Sequence, residues 1–118
     1  MHLAHIALYV QNLEGMKDFY MQHFGATASA PYHNPKTGLQ TYFLSFSGGA
    51  RLELMTRPGL NPHLQDAPTL GYNHIAFTLG SRERVDSLAQ ELAQAGCPIL
   101  SGPRVTGDGY YEVSLLDP

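Results

Sequence analysis

The hexapeptide His5-Ile6-Ala7-Leu8-Tyr9-Val10 returns 69 residues later as His74-Ile75-Ala76-Phe77-Thr78-Leu79. At the same offset Tyr42-Phe43-Leu44-Ser45-Phe46 falls on Tyr111-Glu112-Val113-Ser114-Leu115, with Tyr42 and Ser45 matched identically by Tyr111 and Ser114. Two matches at one offset mark an internal repeat, in which one supersecondary unit is used twice. Each hexapeptide is rich in β-formers and is followed by apolar residues at helical spacing, so each unit opens as strand, then helix.

Working outward, Leu13, Met16, Tyr20 and Phe24 form the apolar stripe of the first helix, with Asn12 placed to cap its start and Gly25 to end it in the left-handed conformation. Val85, Leu88, Ala89, Leu92 and Ala95 form the second stripe, with Ser81 before it and Gly96 and Pro98 after it. Strands are expected near Ala26 to Tyr32, Gln40 to Phe46 and Arg51 to Thr56, separated by the turns His33-Asn34-Pro35-Lys36-Thr37-Gly38 and Ser47-Gly48-Gly49. Module 1, residues 1–56, is therefore βαβββ. Module 2, residues 73–118, runs through His74 to Leu79, the helix, a short strand around Ile99 and Tyr110 to Leu116, and reaches Asp117-Pro118 without its last strand. Residues 57–72, with three prolines and two glycines, read as the linker. The expected fold is α+β, a single domain over 1–118 whose two modules curl their sheets around a shared cleft.

Composition bounds the rest. With 118 residues and 43% apolar content, one core can be filled without a disulfide or structural metal. The net charge is −3 and the basic residues are scattered, which argues against a nucleic-acid surface. A single cysteine, Cys97, excludes an intrachain disulfide, a Cys₄ zinc site and an iron–sulfur cluster, and fits a reducing cytoplasm. No apolar run approaches the roughly 20 residues of a membrane span, and no basic stretch precedes an apolar one at the N-terminus, so neither a membrane anchor nor a signal peptide is expected.

Strand alternation sends Ile6, Leu8 and Val10 toward the helices and His5, Ala7 and Tyr9 to the opposite face. Ile75, Phe77 and Leu79 separate from His74, Ala76 and Thr78 in the same way. In Arg51-Leu52-Glu53-Leu54-Met55 the leucines face the helix, leaving Glu53 on the face of His5. With both sheets around one cleft, the repeat brings His5, Glu53, His74 and position 122, which is 69 residues after Glu53, toward one centre.

These residues resemble the vicinal oxygen chelate superfamily, which includes glyoxalase I, fosfomycin-resistance thiol transferases, extradiol dioxygenases and bleomycin-resistance proteins. The resemblance is carried by the two His-Ile-Ala strand starts, Phe19-Tyr20 before Gly25, Arg51-Leu52-Glu53-Leu54, and Leu115-Leu116-Asp117-Pro118. Glyoxalase I is the nearest pattern, through Glu53 and through Gly102-Pro103-Arg104 followed by Gly107-Asp108-Gly109. The resemblance implies that His5, Glu53 and His74 ligate a divalent metal, Zn²⁺ or Ni²⁺ first and Fe²⁺ or Mn²⁺ as alternatives. The family's fourth ligand, chiefly its general base, falls at position 122, beyond the 118 residues, so weak or no turnover of methylglyoxal with glutathione is expected of this chain. The implied chemistry is that of a lyase or isomerase. A metal binds the oxygens of a hemithioacetal formed from a 2-oxoaldehyde and a thiol such as glutathione and stabilises the enediolate, while a carboxylate, here Glu53, moves the proton. The implied assembly is a homodimer.

Two other functions share the cleft: a non-catalytic, antibiotic-sequestering protein in the manner of the bleomycin-resistance proteins, and an extradiol dioxygenase with a two-histidine, one-glutamate iron site. Glu112 is the late carboxylate besides Asp117, at the repeat position of Phe43, and reads first as a solvated or cleft-rim residue. Cys97 reads as structural. His2, His23, His33 and His63 have no repeat partners. Tyr9, Tyr42, Tyr110 and Tyr111 are candidates for a pocket wall or for ordinary strand packing, and Arg104 is a candidate to meet a substrate carboxylate.

Overall fold

The computed structural model describes residues 3–61, 73–107 and 109–118. Elements follow in the order β1 (His5–Tyr9), α1 (Leu13–Phe24), β2 (Thr27–Ala28), β3 (Tyr32–His33), β4 (Gln40–Ser45), β5 (Arg51–Thr56), α2 (Arg82–Gln94), β6 (Ile99–Val105) and β7 (Tyr111–Leu115). The chain divides into two compact units, Met1–Pro62 with Pro118, and His63–Asp117. The architecture is α+β, as the periodicities predict. The linker region 62–72, His63 and Asp108 lie outside the described residues.

In the first unit the sheet order is β1-β5-β4-β2, with β3 also on β4. β1 runs parallel to β5 with His5 opposite Arg51, Ala7 opposite Glu53 and Tyr9 opposite Met55. β4 is antiparallel to β5 and sets Phe43 opposite Glu53. The expected strand from Ala26 to Tyr32 is broken into β2 and β3, with Ser29 to Pro31 between them. At the break the Ser29 hydroxyl donates to the neighbouring Ala30 carbonyl and accepts the Phe43 amide of β4, taking a donor that a ladder carbonyl would otherwise accept, while the Ser29 amide still donates to the Phe43 carbonyl.

Helix α1 begins where Asn12 accepts the Gly15 amide at 2.9 Å and ends where Gly25 adopts φ 64°. It lies across β4 and β5. Leu13, Met16, Phe19 and Tyr20 are buried on its inner face, against a sheet that buries Tyr42, Leu44, Leu52 and Leu54. Leu44 and Leu54 have no exposed surface. That one-sided burial leaves the other face of β1 and β5 outward: His5, Ala7 and Tyr9 are exposed, whereas Ile6 and Leu8 are half-buried.

In the second unit α2 starts at Ser81, whose hydroxyl accepts the Arg84 amide, and covers the hairpin of β6 and β7. Ala89 and Leu92 are its buried residues. Residues 74–79 keep the predicted alternation, with Ile75, Phe77 and Leu79 less exposed than His74, Ala76 and Thr78, but form no strand among the described residues. This corrects the first strand of module 2. The reason is pairing: β1 is a strand because it is hydrogen-bonded to β5, and among the described residues 74–79 has no such partner.

One contact recurs in both units. The Tyr42 hydroxyl donates to the Glu14 carboxylate at 2.7 Å, and the repeat-related Tyr111 donates to Asp86 at 2.6 Å, each tying a strand to its helix. Lys17 lies over the Tyr42 ring and Arg82 over the Tyr111 ring. Both tyrosines therefore belong to the helix–sheet layer.

Two predictions follow from this packing. Replacing Leu54 by alanine is expected to cost about 2–5 kcal/mol, because a fully buried side chain leaves a cavity, and the denaturant midpoint should fall with little change in slope. The second concerns pH. The Glu14 carboxyl is held below its ordinary value, first by its hydrogen bond from Lys17 and then by that from Tyr42, while the Tyr42 phenol is raised, chiefly because Glu14 accepts its proton. A carboxyl lowered in the folded state adds stability that is complete above its unfolded pKa and is lost as pH falls through the lowered value. The raised phenol adds stability that is complete below its ordinary value and is lost as pH rises through the raised one. Glu14→Gln should therefore flatten the acid limb of the stability profile, measured by chemical denaturation in steps of pH.

Candidate metal centre

The parallel pairing of β1 with β5 places two metal-capable side chains on one outward face. His5 Nε2 stands 3.6 Å from Glu53 Oε2, and the side chains retain 41% and 17% of their exposure. They meet diagonally across the ladder, since His5 is level with Arg51 and Glu53 with Ala7. Donors that share a divalent ion lie about 2.0–2.2 Å from it, so adjacent ligands are typically about 3–3.5 Å apart. The pair is set close to that spacing, and an imidazole with a carboxylate is a donor set suited to zinc, nickel, iron or manganese.

Phe43 forms the third wall. It stands opposite Glu53, and its ring meets the His5 ring edge-to-face with centroids 5.4 Å apart. The Arg51 guanidinium lies over the same Phe43 ring at 4.6 Å. Further along the face, Arg57 lies over Tyr9 at 5.8 Å. Alternation assigns Arg51 to this face, but its seat on Phe43 depends on the β4–β5 register, which the sequence pattern does not specify.

His74 belongs to the second unit, is exposed, and its Nδ1 is 2.8 Å from Asn73 Oδ1. Among the described residues no group of three or more His, Cys, Asp or Glu side chains forms a metal-sized cluster. The structure thus brings together His5 and Glu53 of the three expected ligands. Of the other candidates, Glu112 is engaged by Arg104, whose NH2 group lies 3.4 Å from Oε1 and whose Nε donates to Ser101 at 2.9 Å. Tyr42 is buried and Tyr111 half-buried, both turned to their helices, while Tyr9 and Tyr110 are exposed. Cys97 is half-buried. Among the described residues no helix is long and apolar enough to cross a membrane.

A family model described as the Glyoxalase/Bleomycin resistance protein/Dioxygenase superfamily matches residues 2–118. The chain belongs to that superfamily. Within it, the chain is 32% identical to the Pseudomonas aeruginosa protein PA2024 over 98% of its own length and 81% of the relative's. It is also 32% identical to the Bacillus subtilis protein YwkD, over 86% and 79%. Among solved structures, the glyoxalase I of Leishmania major, described as trypanothione-dependent, superposes with a TM-score of 0.72 at 22% identity, covering 98% of this chain and 86% of that one. A mutant of the fosfomycin resistance protein FosX from Listeria monocytogenes, complexed with Mn(II) and a dihydroxypropylphosphonic acid, superposes with a TM-score of 0.68 at 26% identity over 88% and 77%.

Proposed function

We propose that this superfamily member is a metal-dependent, glyoxalase-like lyase or isomerase acting on a small substrate with two neighbouring oxygens, such as the hemithioacetal of a 2-oxoaldehyde and glutathione. The observation that carries the reading is the His5–Glu53 pair, held 3.6 Å apart on an open sheet face. The Mn(II) complex of FosX adds a superfamily precedent for divalent metal, and the likeness to glyoxalase I supplies the fold. His74 completes the proposed ligand set, drawn from the same chain or from a second copy in a homodimer, within one domain joined by residues 57–72. The cytoplasm is the proposed compartment.

When bound, a divalent ion, Zn²⁺ or Ni²⁺ before Fe²⁺ or Mn²⁺, would polarise the substrate's paired oxygens as a Lewis acid. His5 contributes an imidazole nitrogen whose ring is steadied by Phe43. Glu53 contributes a carboxylate oxygen, and its second oxygen is the group proposed to take a proton from one carbon and return it to the next.

Elemental analysis and metal titration are the decisive measurements. His5→Ala, Glu53→Gln and His74→Ala should each weaken metal binding by about tenfold or more and remove the metal-dependent rise in unfolding temperature. Unchanged metal content in all three variants would reject the site. Mixing the His5→Ala and His74→Ala chains restores binding in hybrids if the ligands come from two copies, and restores none if each site is built within one chain.

A further inference from the structure

We infer that Arg51 is the anion-recognising residue beside this site, and that the substrate carries a carboxylate, phosphate or phosphonate in addition to its two neighbouring oxygens. The inference rests on the His5–Glu53 reading above and names the class of molecule it serves.

Arg51 is level with His5 across the parallel ladder and two residues before Glu53 on the same strand, so all three side chains leave the same face of the sheet. Its guanidinium rests over the Phe43 ring at 4.6 Å, and that ring also packs against His5. A guanidinium laid on an aromatic face keeps its edge, and thus its hydrogen-bond donors, free for a planar or tetrahedral oxyanion. Phe43 therefore holds a cationic fork and a metal-capable imidazole on one platform.

Two other cations that lie over strand tyrosines behave differently. Lys17 lies over Tyr42 with Glu14 as its ion-pair partner, and Arg82 lies over Tyr111, which is bonded to Asp86. Both sit in the helix–sheet layer, with an acid in place. On the outward face of β5 the carboxylate is Glu53, and it pairs with His5 instead of Arg51. Arg57 adds a second guanidinium along the same face, over Tyr9. In a chain of net charge −3, the charged groups described on this face are the guanidinium groups of Arg51 and Arg57 and the carboxylate of Glu53. Its local field favours an anion, and a divalent ion would strengthen that bias.

The test keeps the chelating group constant and varies the anion. Malate and 3-phospholactate are compared with 2-hydroxybutyrate, which has the same 2-hydroxy acid head but no distal charge. Binding is measured by calorimetry on the full chain, loaded with Zn²⁺ and after chelator treatment. The wild-type chain should bind at least one of the two charged probes about tenfold or more tightly than 2-hydroxybutyrate, and the better probe separates phosphate from carboxylate recognition. Arg51→Met, which keeps a long side chain on Phe43, should abolish the preference, while Arg51→Lys should restore part of it. Absence of any preference in the wild type, or its persistence in Arg51→Met, overturns the inference. An Arg51-dependent preference with no response to metal sustains it while rejecting the metal reading. Metal-dependent binding of all probes without dependence on Arg51 does the reverse.

Discussion

The first unit depends on a parallel pairing between the two strands most distant in its sequence, β1 and β5. Parallel strands cannot be joined by a tight turn, so the intervening chain must leave the sheet, cross as a helix and return through further strands. Helix α1 makes the crossover and β4 delivers β5 to the open side of β1. Because α1 covers one face, the leucines of β5 go inward and Arg51, Glu53 and Met55 go outward. A shift of the β1–β5 register by one residue would bury Glu53 or turn His5 under the helix. The spacing of the two candidate ligands is thus a consequence of the same register that fills the core. It also means that β1 has no partner until residues beyond 50 are in place, a long-range closure that local helix formation alone does not supply.

Much of this was legible in the residues, because the features concerned are local. Asn12 and Gly25 bound α1 where side-chain capping and left-handed backbone say they should, Ser81 begins α2, and the alternation in Arg51 to Met55 puts Glu53 on the face of His5. The belonging of the chain to its superfamily was visible in the repeated His-Ile-Ala starts. What was not legible depends on neighbours. Residues 74–79 carry the same alternation as β1, but alternation records which sides are apolar and cannot supply a hydrogen-bonding partner. The break between β2 and β3 involves the Ser29 hydroxyl accepting the Phe43 amide of β4, and the seat of Arg51 on Phe43 turns on a cross-strand register.

The site illustrates how a β-sheet divides labour between its faces. The inner face of β4 and β5 is apolar and closed, with Leu44 and Leu54 fully buried. The outer face carries an imidazole, a carboxylate and a guanidinium around one aromatic ring. None of these polar groups has to be accommodated by the core, so their chemistry can vary without repacking it. Phe43 links the two requirements, since β4 must be in register for the core and is then also in register for the outward ring.

The tyrosine latches show how far the two halves have drifted while keeping one interaction. By the repeat offset, Glu14 corresponds to Glu83 and Lys17 to Asp86, yet Tyr42 uses Glu14 and Tyr111 uses Asp86. In the second unit Glu83 is lowered by its own backbone amide and by Ser81 at the helix start, which occupies it there. The acceptor has moved one helical turn along and shortened by one methylene. Ancestral chains could make that exchange one substitution at a time, provided some acid stayed within reach of the phenol. Comparison of the halves column by column would score positions 14 and 17 against 83 and 86 as a charge match and a charge reversal. Compared by what the side chains hold, they are the same fastening.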